Sequence, residues 1–108
     1  MTSHILYSQP MQFCEKIKDK RITQGLLQRQ VATALEIDTP LYSKIERGER
    51  KAKRSQIHKI AEVLNIDSEE LLILWLADQV YEIVKDENVA AQVLKVAEEG
   101  IKYSTKKD

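Results

Sequence analysis

Between Thr39 and Arg54 the chain sets small, hydroxylated and cationic side chains at helical spacing. Thr39, Pro40, Ser43 and Lys44 share the outward face of a short helical pattern, Arg47 follows one turn on, and Arg50, Lys51, Lys53 and Arg54 come directly after it. Such a surface suits a polyanion with readable edges, because cations neutralise phosphates while hydroxyls, amines and methyl groups meet base edges in a groove. Other chemistries find little support. His4 and His58 are at no metal-ligand spacing, and neither stands with Cys14 in a nucleophile pattern. Gly25, Gly48 and Gly100 are isolated, so there is no glycine loop to cradle a phosphate. The expectation is a binding protein with no catalytic residues, no cofactor and no metal.

The elements that must hold this surface lie in Gln28 to Gly48. Val31, Ala32, Leu35, Ile37, Leu41, Tyr42 and Ile45 draw one apolar stripe on each of two short helices facing a common core. Thr39 precedes Pro40, which pushes it out of the α region and makes it the expected N-cap of the second helix. That helix is predicted from Pro40 to about Arg47, with Gly48 as the left-handed residue that ends it. Leu41, Tyr42 and Ile45 then point inward. The pattern is a helix-turn-helix.

With Gln28, Ala32, Ile37 and the run Ser43-Lys44-Ile45-Glu46-Arg47-Gly48, the chain resembles the Cro/CI-like (Xre-type) helix-turn-helix regulators of bacteria and phages, over roughly Gln12 to Leu72. The resemblance implies a five-helix core in which the helix from Gln28 crosses the phosphate backbone and the next helix enters the major groove. It assigns base contacts to Thr39, Pro40, Ser43 and Lys44. Phosphate contacts fall to Gln28, Arg29, Arg47, Arg50, Lys51, Lys53 and Arg54. There are departures from the family pattern. Glu36 stands in the turn where glycine is usual, Leu27 replaces a Ser or Thr cap, Lys20 takes a position often apolar, and Lys51-Ala52-Lys53 replaces an Asn-Pro-Ser-like turn.

Composition agrees with an all-α fold of about six helices, the five-helix core extended by C-terminal helices. The 108 residues are 43% hydrophobic and 31% charged, with few Gly and Pro and no alternating β-branched segment. The formal net charge of zero hides a division: residues 1–60 hold 12 Lys/Arg against 6 Asp/Glu, and residues 61–108 hold 5 against 11. A basic half suits a phosphate-facing surface, and an acidic half suits the face turned away. One cysteine precludes an internal disulfide, no signal peptide is legible, and the apolar run Leu71 to Leu76 is too short to span a bilayer. A cytoplasmic protein without membrane contact is expected.

Along the chain, residues 1–9 read as a flexible lead-in and residues 10–72 as the DNA-binding domain. The first helix is expected from Pro10 to Gln24-Gly25 with Phe13 and Ile17 inward, leaning on Ile22 and Leu26. A fourth is expected from Ser55 to Leu64, ended at Asn65. Asp67 with Glu70 is a capping box for a fifth, Ser68 to about Lys85. That helix is apolar on more than one face, which calls for a second partner, and Leu74, Trp75, Val80, Tyr81 and Val84 are the expected dimer contacts. Asp86 is the expected cap of a sixth helix from Glu87 to about Tyr103, so residues 73–103 form a dimerisation extension and 104–108 a polar tail. A homodimer on double-stranded DNA is the leading expectation, since the family reads two half-sites roughly 34 Å apart or multiples of that. The alternative is an antitoxin-type or adaptor protein whose acidic C-terminal helices hold a protein partner.

Overall fold

The computed structural model describes residues 11–106; the lead-in at 1–9, including any arm reaching toward DNA, lies outside the described residues. Six α-helices follow in order: α1 (Gln12–Thr23), α2 (Gln28–Leu35), α3 (Thr39–Glu46), α4 (Arg54–Leu64), α5 (Ser68–Val84) and α6 (Ala90–Lys106), with no strand among the described residues. The chain divides into two compact units between Asp78 and Gln79, within α5.

In the first unit, Ile17, Val31, Tyr42, Ile60, Leu64 and Leu71 are the largest fully buried side chains, contributed by all five helices. The apolar stripes of α2, α3 and α4 converge as their spacing requires. Leu26 joins this core, but Ile22 is 55% exposed and does not support α1. The helix ends show why the chain turns where it does. Glu36 and Asn65 each adopt the left-handed conformation, at φ 61° and 57°, and close α2 and α4 with backbone amides returned to the preceding carbonyls. Glu36 therefore takes the conformation that glycine would supply, with its Cβ in place. Gly48, at φ 79°, is in the left-handed region that favours glycine, and a side chain there would also displace the end of Met11. A Cβ there would lie 2.8 Å from Met11 Cε.

Two caps depend on side chains next to their helices. Asp67 accepts from the Glu70 amide at 3.0 Å, the first half of the expected capping box, while the Glu70 carboxylate pairs with Lys16. The N-cap of α3 is Asp38, not Thr39: its carboxylate accepts from the Leu41 amide at 2.8 Å, and Thr39 and Pro40 take the first helical positions. Proline has no amide to satisfy and fits either early position, while a carboxylate also gains from the helix dipole. Asp38→Ala is expected to lower stability by about 1 kcal/mol and Thr39→Val by much less, read from urea midpoints.

The N-terminus of α1 is capped from far along the chain. The Gln12 and Phe13 amides donate to the Asp78 carboxylate at 3.2 and 3.0 Å, and Lys16 pairs with Glu70 at 3.0 Å. Trp75 is also drawn into the first unit, 9% exposed, with its indole donating to the Ala52 carbonyl at 3.0 Å. This places Trp75 in the domain's own core rather than on a surface open to a partner, and it carries the unit past Leu72 to Asp78.

In the second unit, the close of α5 is followed by a turn in which the Glu87 amide returns to the Val84 carbonyl at 2.9 Å. Helix α6 starts at Ala90, so Asp86 does not cap it, and it runs on through Ser104 to Lys106 where a tail was expected. Val84 is 6% exposed, whereas Ile83, Val96, Ile101 and Tyr103 are each at least 66% exposed.

Candidate nucleic-acid interface

Helix α3 is fixed from beneath by a buried ionic network. Tyr42, Ile45 and Glu46 form its inner face, and a carboxylate there is costly unless its oxygens are satisfied. Arg21 of α1 satisfies both, with Nε 2.7 Å from Oε2 and Nη2 2.9 Å from Oε1, and its Nη1 donates to the Leu26 carbonyl at 2.9 Å. Gln28, the first residue of α2, donates from Nε2 to Glu46 Oε1 at 2.9 Å. Burial alone would push the Glu46 carboxyl up, but the hydrogen bonds from Arg21 and Gln28 prevail and hold it below its ordinary value. The Tyr42 hydroxyl is buried close to this carboxylate without meeting hydrogen-bond geometry, and burial is the main cause of its strongly raised pKa. Three helices thus meet at one carboxylate, and the last turn of α3 cannot tilt independently of α1 and α2.

The outer face of α3 carries the residues expected at base edges. Pro40 and Lys44 are exposed, and Thr39 and Ser43 are partly so. Arg47, just past the helix, lies back along this face: its Nη1 donates to Ser43 Oγ at 2.6 Å, and its Nε and Nη2 donate to Glu49 at 2.8 and 3.1 Å. The loop after Gly48 is built onto the end of α3, since the Glu49 and Arg50 amides both return to the Lys44 carbonyl, at 2.9 and 3.3 Å. Arg50, Lys51, Lys53 and Arg54 are all exposed along it. Lys51 Nζ lies 5.8 Å from the Trp75 ring centroid, and the same indole holds Ala52. Between α3 and this loop runs a shallow groove with Ile37, Leu41 and Ile45 in its floor and Arg50, Lys51 and Lys53 on its rim.

Of the expected cations, Arg50, Lys51 and Lys53 are brought to the groove beside α3, and Arg47 lies against Ser43. Arg29 is exposed on α2, but the Gln28 side-chain amide is committed to Glu46. At the start of α2, Gln30 accepts from the amide of the N-cap residue Leu27 at 2.7 Å, while no side chain caps the first amides of the helix. Gln56 does the same for the Lys53 amide at 2.8 Å before α4. Residues 17–71 match the helix-turn-helix family. The chain belongs to the Cro/CI-like (Xre-type) helix-turn-helix family. No curated protein and no solved structure matches it. In this helix-turn-helix domain, a family of DNA-binding regulators supplies the setting for α2 and α3, and no described helix is long and apolar enough to cross a membrane.

Sequence reasoning missed Arg21 and Glu49. Glu46 lies four residues after Tyr42, on the buried stripe, and a carboxylate there signals a cationic partner without naming it. Nothing in the local sequence distinguishes Arg21 from the neighbouring lysines.

Proposed function

We propose that the protein is a sequence-specific regulator that binds double-stranded DNA as a homodimer in the cytoplasm, with α3 in the major groove. The observation that carries this reading is the joint display, on one rigid support, of the outer face of α3 and the exposed cations of residues 50–54. Thr39, Pro40, Ser43 and Lys44 face base edges, with Lys44 a donor to guanine and Pro40 or the Thr39 methyl in contact with thymine methyls. Arg29, Arg50, Lys51, Lys53 and Arg54 hold phosphates. Gln28 serves chiefly as the link between α2 and α3, leaving the first amides of α2 to meet a phosphate oxygen.

The roles separate by experiment. Lys44→Ala is expected to cost about 1–3 kcal/mol on the preferred site and to relax one base position, whereas Lys53→Ala weakens every duplex alike and lowers the salt slope by about one. Equal losses on specific and random duplexes for both variants would contradict the division. Selection of bound sequences from random duplex DNA, with binding followed against salt, tests the reading as a whole; binding to no duplex at any salt would end it.

Dimerisation is supported by the apolar face of the C-terminal unit. Eight large apolar residues between Val80 and Tyr103 are 41–75% exposed. Such exposed apolar residues are the kind an interface with a second chain would bury. Helix α6 keeps Lys95, Glu98, Glu99 and Lys102 on the opposite face, with Glu98 and Lys102 3.7 Å apart. A second copy of the chain is the proposed occupant, through Val80 and Tyr81 and the α6 stripe Val93, Val96 and Ile101. Leu74 is packed against the first unit's core and Val84 is buried within one chain, so both lie at most at the margin. Light scattering on the purified protein should give twice the chain mass; a monomer would favour an intramolecular pairing of α5 and α6, and a stoichiometric foreign protein bound through residues 80–103 would favour the antitoxin-type reading.

A further inference from the structure

The guanidinium of Arg47 is held by three hydrogen bonds that use three of its donors and leave two. Arginine carries five N–H donors in a planar fork. Its side edge, formed by Nε and Nη2, is filled by the two Glu49 oxygens at 2.8 and 3.1 Å. Nη1 donates to Ser43 Oγ, one turn back on α3, at 2.6 Å. With three of the five N–H groups used, one N–H on Nη1 and one on Nη2 remain for a further acceptor. Because Ser43 lies on the outer face of α3, the bond to it brings the guanidinium over that face rather than out to the side where phosphates run.

We propose that Arg47 reads a guanine through its two remaining donors, with Glu49 and Ser43 as positioning residues that hold the fork in place. This rests on the DNA-binding reading given above and changes the role of one residue within it: Arg47, expected from the family resemblance to hold a phosphate, becomes a specificity determinant. Two N–H donors of one guanidinium match the O6 and N7 acceptors of guanine in the major groove. A phosphate would be served equally well by a mobile, unpaired cation, and a carboxylate beside it would repel that phosphate. At a base edge the same carboxylate is useful: it fixes the rotamer of a long side chain before binding, so less freedom is lost on contact. Ser43 accepts from Arg47 and keeps its own hydroxyl proton for a neighbouring base. Glu49 is in place for the task at neutral pH, since hydrogen bonds from Arg47 and the charge of Lys44 hold its carboxyl below the ordinary value.

The test uses the full chain and a duplex selected from random sequence, compared with its single-base variants and a random duplex. Arg47→Lys keeps the charge and removes the fork. It is expected to lower discrimination at one G·C pair by about ten- to a hundredfold while leaving the salt slope and random-duplex affinity nearly unchanged. Glu49→Gln is expected to blur the same base pair and to raise affinity for random DNA, and combining it with Arg47→Lys should add little further loss of discrimination. Both substitutions are on the exposed surface, and unchanged circular dichroism and thermal midpoint would verify folding. If Arg47→Lys leaves every base preference intact while Arg47→Ala lowers the salt slope by about one on all duplexes, Arg47 is a phosphate contact and the proposal is overturned. Absence of salt-dependent binding by the unmodified protein would instead remove the DNA-binding reading on which it stands.

Discussion

Arg21→Ala is expected to destabilise the protein by about 3–5 kcal/mol, because it leaves the Glu46 carboxylate buried without its charge partner. The Glu46 side chain has 2% of its surface exposed and the Arg21 side chain 14%, so solvent cannot substitute for the lost guanidinium. The loss is a large fraction of the 5–15 kcal/mol that holds small domains together. Replacing both residues tells more. A double substitution to leucine and methionine is expected to regain most of the stability, since apolar residues of similar volume can replace a buried pair. Failure to regain it would mean that Gln28 and the Leu26 carbonyl also need their partners.

The same network sets an acid limit. The folded-state pKa of Glu46 is lowered, so its contribution is fully present above the unfolded carboxyl value, about 4.3, and is lost as pH falls through the folded one. Unmodified protein should therefore lose urea resistance as the pH drops below about 4. In Arg21→Ala the unpaired carboxyl takes up a proton more readily, so the two proteins should differ most at neutral pH and converge in acid. Parallel curves from pH 7 to pH 3 would show that Glu46 does not titrate with unfolding.

Trp75→Ala is expected to cost about 3–5 kcal/mol through cavity formation, with the Ala52 carbonyl left without its donor. Trp75→Phe separates the two effects. It keeps most of the packing, loses the hydrogen bond for about 1 kcal/mol, and frees residues 51–53. With the loop less fixed, affinity for all duplexes should fall together while base preference stays. Were Trp75 a dimer contact instead, either substitution would abolish the dependence of the unfolding midpoint on protein concentration expected of a dimer, and light scattering would show a monomer.

The parts of the fold legible in the sequence are those governed by neighbours along the chain. Pro40 and Gly48 bracket α3, Asp67 and Glu70 start α5, and the apolar spacing of α2, α3 and α4 names their buried residues. Local reasoning failed where two residues offered the same service, as Asp38 and Thr39 did beside Pro40, or where the turn from Asp86 to Val89 delayed α6 beyond the first good cap. It could not reach the pairs Arg21 with Glu46, Asp78 with the amides of α1, or Trp75 with Ala52, because each joins segments distant in sequence. The cations of the interface were legible as a set, but whether each stands free or is held by a neighbour was not, and for Arg47 that difference changes the role proposed for it.

The Asp78 cap also sets an order on the making of the domain. A ribosome releasing the chain has delivered α1 long before residue 78, so the first helix leaves the exit tunnel with its leading amides open to water. They are closed only when the last element of the unit arrives and docks, which couples completion of the recognition surface to a contact 66 residues apart in sequence and makes folding slower than that of a helical unit with only local contacts. A fragment ending at Leu72 would hold every residue matched by the family, yet would lack the carboxylate that seals α1 and the indole that holds the basic loop; one ending just beyond Asp78 would keep both.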